Sequence, residues 1–180
     1  MFRLALTALF FTALACQNPR DAEEPFNGEP LPDFALTDMN ENSLSYGMEL
    51  GPRNAEGSIS IWYFTHANCP YCQSQFDILH LLKADLDDEY GEDSVQILGV
   101  NAVGYEDSIS DITEGNTLPL LQDTEPVDAW GAWYADWRDL VIIDESNTWV
   151  GLFNLTTHDL ADASNLTDVR EMVDDALATQ

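Results

Sequence analysis

The chain has 180 residues, 45% of them apolar and 11% aromatic, with five tryptophans. That supports one core of ordinary density, falls short of two full-sized domains, and is too rich in aromatics for a disordered chain. Six Lys and Arg stand against 33 Asp and Glu, a formal net charge of −27, which repels polyanions and argues against nucleic acid as a partner.

The first element in chain order is an export signal: Arg3, then an apolar stretch from Leu4 to Leu14 interrupted only by Thr7 and Thr12. About 11 apolar residues are too few for a hydrocarbon core that needs roughly 20, so this is a signal segment rather than a permanent span. Ala13-Leu14-Ala15-Cys16 resembles the lipobox of bacterial lipoproteins; an ordinary secretory signal with an incidental cysteine is the alternative. The resemblance implies a lipoprotein signal peptide over 1–15, lipidation at Cys16 and a membrane anchor facing the periplasm or cell exterior, with Gln17 favouring the outer membrane. Residues 16–30 carry Pro19, Pro25 and Pro30 without apolar periodicity and read as a lipidated flexible tether. With Cys16 so used, Cys69 and Cys72 remain as an even pair in an exported chain.

Residues 31–180 alternate strand and helix signals, which predict one α/β domain with a central mixed sheet flanked by helices. Ile59 to Phe64, β-branched and aromatic, is the clearest strand; it runs into His66-Ala67-Asn68-Cys69-Pro70-Tyr71-Cys72. Phe76, Leu79, Leu82 and Leu86 then recur at helical spacing to about Tyr90-Gly91. Val95 to Val100 predicts a buried strand, Tyr105 to Ile112 a short helix, Leu118 to Leu121 an extended segment, and Val127 to Tyr134 another helix. Leu140 to Asp144 and Thr148 to Phe153 predict a hairpin turning at Glu145-Ser146-Asn147, and Leu166 to Leu177 an amphipathic closing helix.

Two cysteines at i and i+3 on the first turn of a helix stand close enough for a disulfide, and the first sits where the helix N-terminus stabilises a thiolate and lowers its pKa. Cys69 is therefore the expected nucleophile and Cys72 the expected resolver, joined as Cys69–Cys72 when oxidised, with Pro70 suited to the first helical turn. A zinc site wants four ligands, and only His66, His80 and His158 are left to join the pair. A purely structural disulfide is the stronger bland alternative, although a loop this short constrains the unfolded chain little.

Leu31 to Asp38 resembles the opening of the redoxin branch of the thioredoxin superfamily, which includes peroxiredoxins and the membrane-anchored thioredoxins of cytochrome maturation. Trp62 to Cys72 is similar to that branch's strand, loop and active-site helix, Leu118 to Asp123 to its mid-domain segment, and Trp130-Gly131 with Leu140 to Asp144 to its penultimate strand. The resemblance covers residues 31 to 178 and implies a thioredoxin-like fold. It also implies thiol-disulfide exchange at Cys69 and Cys72, on exported proteins bearing cysteine thiols or disulfides and with a further redox partner. Pro70-Tyr71 resembles the glutaredoxin dipeptide, and no cofactor is expected. Thioredoxins place a cis-proline just before the penultimate strand; here Trp137-Arg138-Asp139 stands there, and Pro119 lies in the earlier segment.

Arg138 resembles the arginine with which peroxiredoxins polarise peroxide, which makes a thiol peroxidase the second reading; an ion pair with Asp136 or Asp139 is the bland one. The peroxiredoxin threonine three residues before the cysteine is His66 here, and the proline seven before is Trp62, with Thr65 off by one. His66 is a candidate stabiliser of the Cys69 thiolate, and Glu106 resembles the buried carboxylate that relays protons to the resolving cysteine in some relatives. Trp130, Trp133 and Trp137 read as packing first. A copper-delivery module would need another cysteine spacing and a histidine before the penultimate strand, with His66 or His158 as substitutes. A non-catalytic scaffold completes the alternatives.

Overall fold

The structure, a computed structural model, describes residues 25–179. The expected signal peptide, Cys16 and the tether as far as residue 24 lie outside the described residues. Strands β3 (Ile59–Thr65), β4 (Val95–Asn101), β5 (Leu120–Gln122), β6 (Asp139–Ile143) and β7 (Trp149–Asn154) form one sheet in the order β5-β4-β3-β6-β7. β3, β4 and β5 run parallel, while β6 pairs antiparallel with β3 and β7 with β6. The sheet is mixed, as the alternating pattern predicted.

Period-two alternation decides what each face buries. Ile59, Ile61 and Tyr63 of β3 face one core with α1 (Pro70–Tyr90) and α4 (Ala163–Ala178), whereas Trp62 and Phe64 face the other. α1 buries Cys72, Gln75, Phe76, Leu79, Leu82 and Leu86, spaced as one helical stripe, and ends at Gly91, whose φ of 95° suits glycine. Where α1 crosses β4, Gly99 lets the chains close: a Cβ there would stand 2.6 Å from the Leu120 side chain and 3.0 Å from Phe76. On the opposite face Trp62 packs edge-on to Phe34 and Trp133 with centroids 5.5 and 5.4 Å apart, pairs worth about 0.5–1.5 kcal/mol each beyond their area.

Three expected helices differ in extent. Tyr105 to Ile112 becomes a 3-10 turn at Glu106–Ser108 followed by α2 (Ile109–Ile112). Val127 to Tyr134 shortens to α3 (Ala129–Ala132), because buried Asp123 accepts the N–H groups of Ala129 and Trp130 and fixes where the turn begins. α4 starts earlier than predicted, at the Asp162 cap that accepts from Ser164 N. The folded region also reaches back before residue 31. Pro30 bridges Thr148, and Phe26 packs against Tyr134 and Trp149, so the end of the segment read as tether is held by aromatic contacts.

The resemblance segment is tied down by buried polar groups. Beyond β1 (Leu36–Thr37), which pairs with β2 (Glu49–Leu50), fully buried Asp38 accepts Asn40 N and Leu120 N through Oδ1, each at 3.0 Å, and the Ser45 hydroxyl through Oδ2 at 2.7 Å. Asp38→Ala leaves those donors without their acceptor, and we expect it to cost about 3 kcal/mol, read as a lower urea midpoint at unchanged m-value. An unchanged midpoint would show that the network carries no stability.

A candidate dithiol active site at the start of α1

Cys69 is the N-cap of α1: its backbone is extended (φ −94°, ψ 111°) and its Sγ accepts the Cys72 N–H at 3.1 Å. Pro70 fills the first helical position, where its missing N–H leaves no donor wanting, as expected. Both cysteines are free thiols; Cys69 keeps 9% of its surface exposed and Cys72 none. Only Cys69 of the two keeps any accessible surface, and Cys72 lies one turn behind it.

The loop ahead of the pair is held from beneath. Ala67 N donates to Asn101 Oδ1 at 2.8 Å, Asn101 Nδ2 to Gln122 Oε1 at 2.6 Å, and Gln73 Nε2 back to Ala67 O at 3.1 Å. Asn101 and Gln122, the last residues of their strands, were not singled out from sequence; polar residues ending otherwise apolar strands were the available signal.

Arg138 reaches Cys69 from 69 positions along the chain, its Nη2 donating to Sγ at 3.6 Å. Its guanidinium lies 4.0 Å from the Trp137 ring centroid and 4.7 Å from that of Tyr71, whose hydroxyl donates to Leu155 O at 2.6 Å. The backbone holds it there in the left-handed region, φ 72°, a conformation that costs a non-glycine residue about 1 kcal/mol or more. Arg138 N donates to Phe64 O and Leu155 N to Arg138 O, both at 2.9 Å, so the sheet fixes that conformation. The expected bland role is not realised: among the described residues no ion pair joins Arg138 to Asp136 or Asp139, and Asp139 instead accepts Asn154 Nδ2 and Asp136 N. Among the described residues no peptide bond is cis, so Arg138 takes the place before the penultimate strand without a proline substitute.

Three expectations about the site need correction. Cys69 is not the sulfur with the lowered pKa: burial and the hydrogen shared with Cys72 push it up, outweighing the Cys72 N–H and Arg138. Burial alone would raise Cys72 too, but the Cys69 thiol, Arg138 and the hydroxyls of Tyr63 and Thr65 favour its anion and hold it below the ordinary thiol value. The two directions are opposed, up for the outer sulfur and down for the inner one. His66 is no cationic partner for the thiolate. Its ring stacks on Tyr105 and Trp137, 4.1 and 4.8 Å between centroids, and burial with the nearby Arg138 charge lowers its pKa, leaving it neutral at pH 7. Glu106 is no buried relay either: it is exposed, accepts Gly104 N at 2.9 Å and Gln122 Nε2 at 3.3 Å, and the Gly104 N–H lowers its pKa. A carboxylate two residues past a glycine turn is more cheaply solvated than buried.

Trp133 is core, but Trp137, 42% exposed, roofs Arg138 at the site. His158 shares hydrogen bonds with Asn154 O and the Thr157 hydroxyl, and among the described residues no three His, Cys, Asp or Glu side chains converge as a metal site would require. Among the described residues no helix is long and apolar enough to cross a membrane.

No protein-family model matches the chain, and no curated protein matches it. Solved structures do. A Bacteroides thetaiotaomicron protein provisionally named a protein disulfide isomerase is 21% identical and superposes with a TM-score of 0.62 over 82% of this chain and 89% of its own. A Chlorobium tepidum protein provisionally named thiol:disulfide interchange protein DsbE is 13% identical (TM-score 0.60, 81% and 96% covered). A second Chlorobium tepidum thiol:disulfide interchange protein, of the thioredoxin family, is 17% identical (TM-score 0.57, 83% and 97% covered). At such identities the likeness is one of fold: the chain has the thioredoxin-like fold.

Proposed function

We propose that this chain is a thiol-disulfide oxidoreductase working through Cys69 and Cys72 on cysteines of exported proteins, anchored to a bacterial membrane by lipid on Cys16. The observation that carries the chemistry is the N-cap geometry: a slightly exposed Sγ receiving Cys72 N and Arg138 Nη2, with a second, fully buried thiol one turn behind. In the reductive direction Cys69 gives up its proton to water and the thiolate attacks a substrate disulfide, forming a mixed disulfide and releasing one substrate thiolate, which takes a proton from water. Cys72 thiolate then attacks the Cys69 sulfur, and the electron pair of the broken bond leaves with the second substrate sulfur. Two electrons have passed from the pair, now Cys69–Cys72, to the substrate; the reverse sequence oxidises a dithiol. The location and anchor rest on the lipobox resemblance alone.

Equilibrating the chain against defined thiol-disulfide buffers, with thiols counted by alkylation and mass, tests this. We expect a reversible transition between about −120 and −270 mV. A pair locked below about −300 mV is a structural disulfide and overturns the proposal. Arg138 beside Cys69 favours thiol peroxidase as the second reading, against which stands neutral, stacked His66 where peroxiredoxins place a threonine. Rapid loss of one thiol on adding peroxide would favour it over exchange.

A further inference from the structure

We infer that Tyr63 and Thr65 are positioning residues for Cys72: their buried hydroxyls form a neutral donor pair that holds the resolving thiolate ready to release substrate from Cys69. The inference rests on the exchange reading above. β3 alternation brings residues 63 and 65 to the face covered by α1, and Tyr63, Thr65 and Cys72 are each wholly buried there. The Tyr63 hydroxyl and Thr65 Oγ1 have no hydrogen-bond partner in the structure. A buried donor left without an acceptor is costly, and the sulfur of Cys72, buried in the same core under α1, is an acceptor once ionised. The strongest influences on the Cys72 anion are its burial, Cys69 across the turn, Arg138 from the loop before β6, and these two hydroxyls, with no carboxylate among them. Burial and the neighbouring cysteine charges push the Tyr63 phenol well above its ordinary range, so it keeps its proton and acts as donor, not base.

When Cys72 thiolate attacks Cys69, the Cys69–Cys72 bond forms, the bond from Cys69 to the substrate sulfur breaks, and that sulfur leaves with the electron pair and takes a proton from water. Tyr63 and Thr65 keep their protons throughout; they set how much Cys72 is already ionised. A neutral donor pair buried with the sulfur does this without bringing a second charge into the core.

The test uses the reduced full chain and a chromogenic dipyridyl disulfide. Its first pyridinethione release depends on reagent concentration and reports Cys69; the second does not and reports Cys72. A donor worth about one pH unit raises the thiolate fraction tenfold but, with a Brønsted coefficient near 0.4–0.5, lowers its nucleophilicity about threefold. Tyr63→Phe, which keeps the ring stacked on Phe76, is therefore expected to slow the second release about threefold at pH values below the thiol pKa and to speed it about threefold at high pH, the two profiles crossing. Thr65→Val shifts the profile the same way by less and stands in should Tyr63→Phe not fold. Parallel profiles, displaced equally at every pH, indicate only a packing defect and overturn the inference, as does an unchanged profile in both variants. If the wild-type chain shows no second release at all, it is the exchange reading that fails.

Discussion

Replacing Cys69 with serine should reduce disulfide exchange by at least about a thousandfold, because it removes the one sulfur of the pair that reaches the surface. Cys72→Ser should behave differently. Its first step survives, and the chain should accumulate close to one equivalent of mixed disulfide on Cys69, visible by mass. The pH dependence supplies a sharper check. In the native pair, the hydrogen shared with Cys72 and the charge on that sulfur both push Cys69 up. Cys72→Ser removes that charge while Arg138 stays, so Cys69 should ionise more readily, and its alkylation profile should move to lower pH. A Cys72→Ser chain that traps nothing, alongside a Cys69→Ser chain that still turns over, would reverse the roles; an alkylation profile displaced to higher pH would show that the anion was never held by Cys72.

The second large effect is expected at Arg138. It lies against Cys69 and favours the anion of both sulfurs. Arg138→Met fills similar space without charge. An opposite charge at this range moves a pKa by about 1–3 units, so the thiolate fraction near neutrality should fall at least tenfold and the exchange rate, after the partial return in nucleophilicity, about threefold per unit. The reduced form loses its electrostatic support, and at pH values above the thiol pKa the midpoint potential should become more reducing by about 30 mV for each unit, measured in the same kind of thiol-disulfide buffers. Arg138→Lys should recover only part, since an ammonium cannot also lie flat between Trp137 and Tyr71. A potential unmoved in Arg138→Met would mean that the guanidinium packs on the rings without acting on sulfur. The position matters because the backbone is held at φ 72° there. Two backbone hydrogen bonds fix that strained conformation, and it aims the side chain at Cys69.

The exchange step and the inner donor pair divide the labour between the two sulfurs. In the proposed exchange Cys69, which keeps a little surface and is raised, meets the substrate, and Cys72, wholly buried but lowered, resolves the mixed disulfide. In the proposed exchange such a division would shorten the life of the mixed disulfide by favouring the resolving anion. Burial, which opposes the Cys72 anion, is offset by the Cys69 thiol, Arg138 and the two hydroxyls, which favour it.

What the sequence determined by itself were the local features. β-branched and aromatic runs become β3, β4, β6 and β7 because side chains alternating across a pleat can be read without knowing what covers them. The 3.6-residue stripe from Phe76 to Leu86, with Pro70 at its head, becomes α1 and puts Cys69 at the cap. Everything about the site that depends on distant partners was decided by tertiary structure. Arg138 could be noticed by resemblance, but only the antiparallel register of β3 with β6, Tyr63 opposite Leu140, carries it to the end of β3 beside the cysteine loop. Glu106 and His66 lie near the pair in sequence pattern, yet one is turned to solvent and the other is stacked among rings, since burial is set by the elements that cover a residue and not by its neighbours in the chain. Tyr63 reads from sequence as an ordinary strand residue and Thr65 as a near miss of the peroxiredoxin threonine; only the packing of α1, with Cys72 in its first turn, buries their hydroxyls on the face that also buries that sulfur. Periodicity is a local property of the chain, whereas the ionisation of a thiol is set by which charges and donors three-dimensional packing brings within a few ångströms of it.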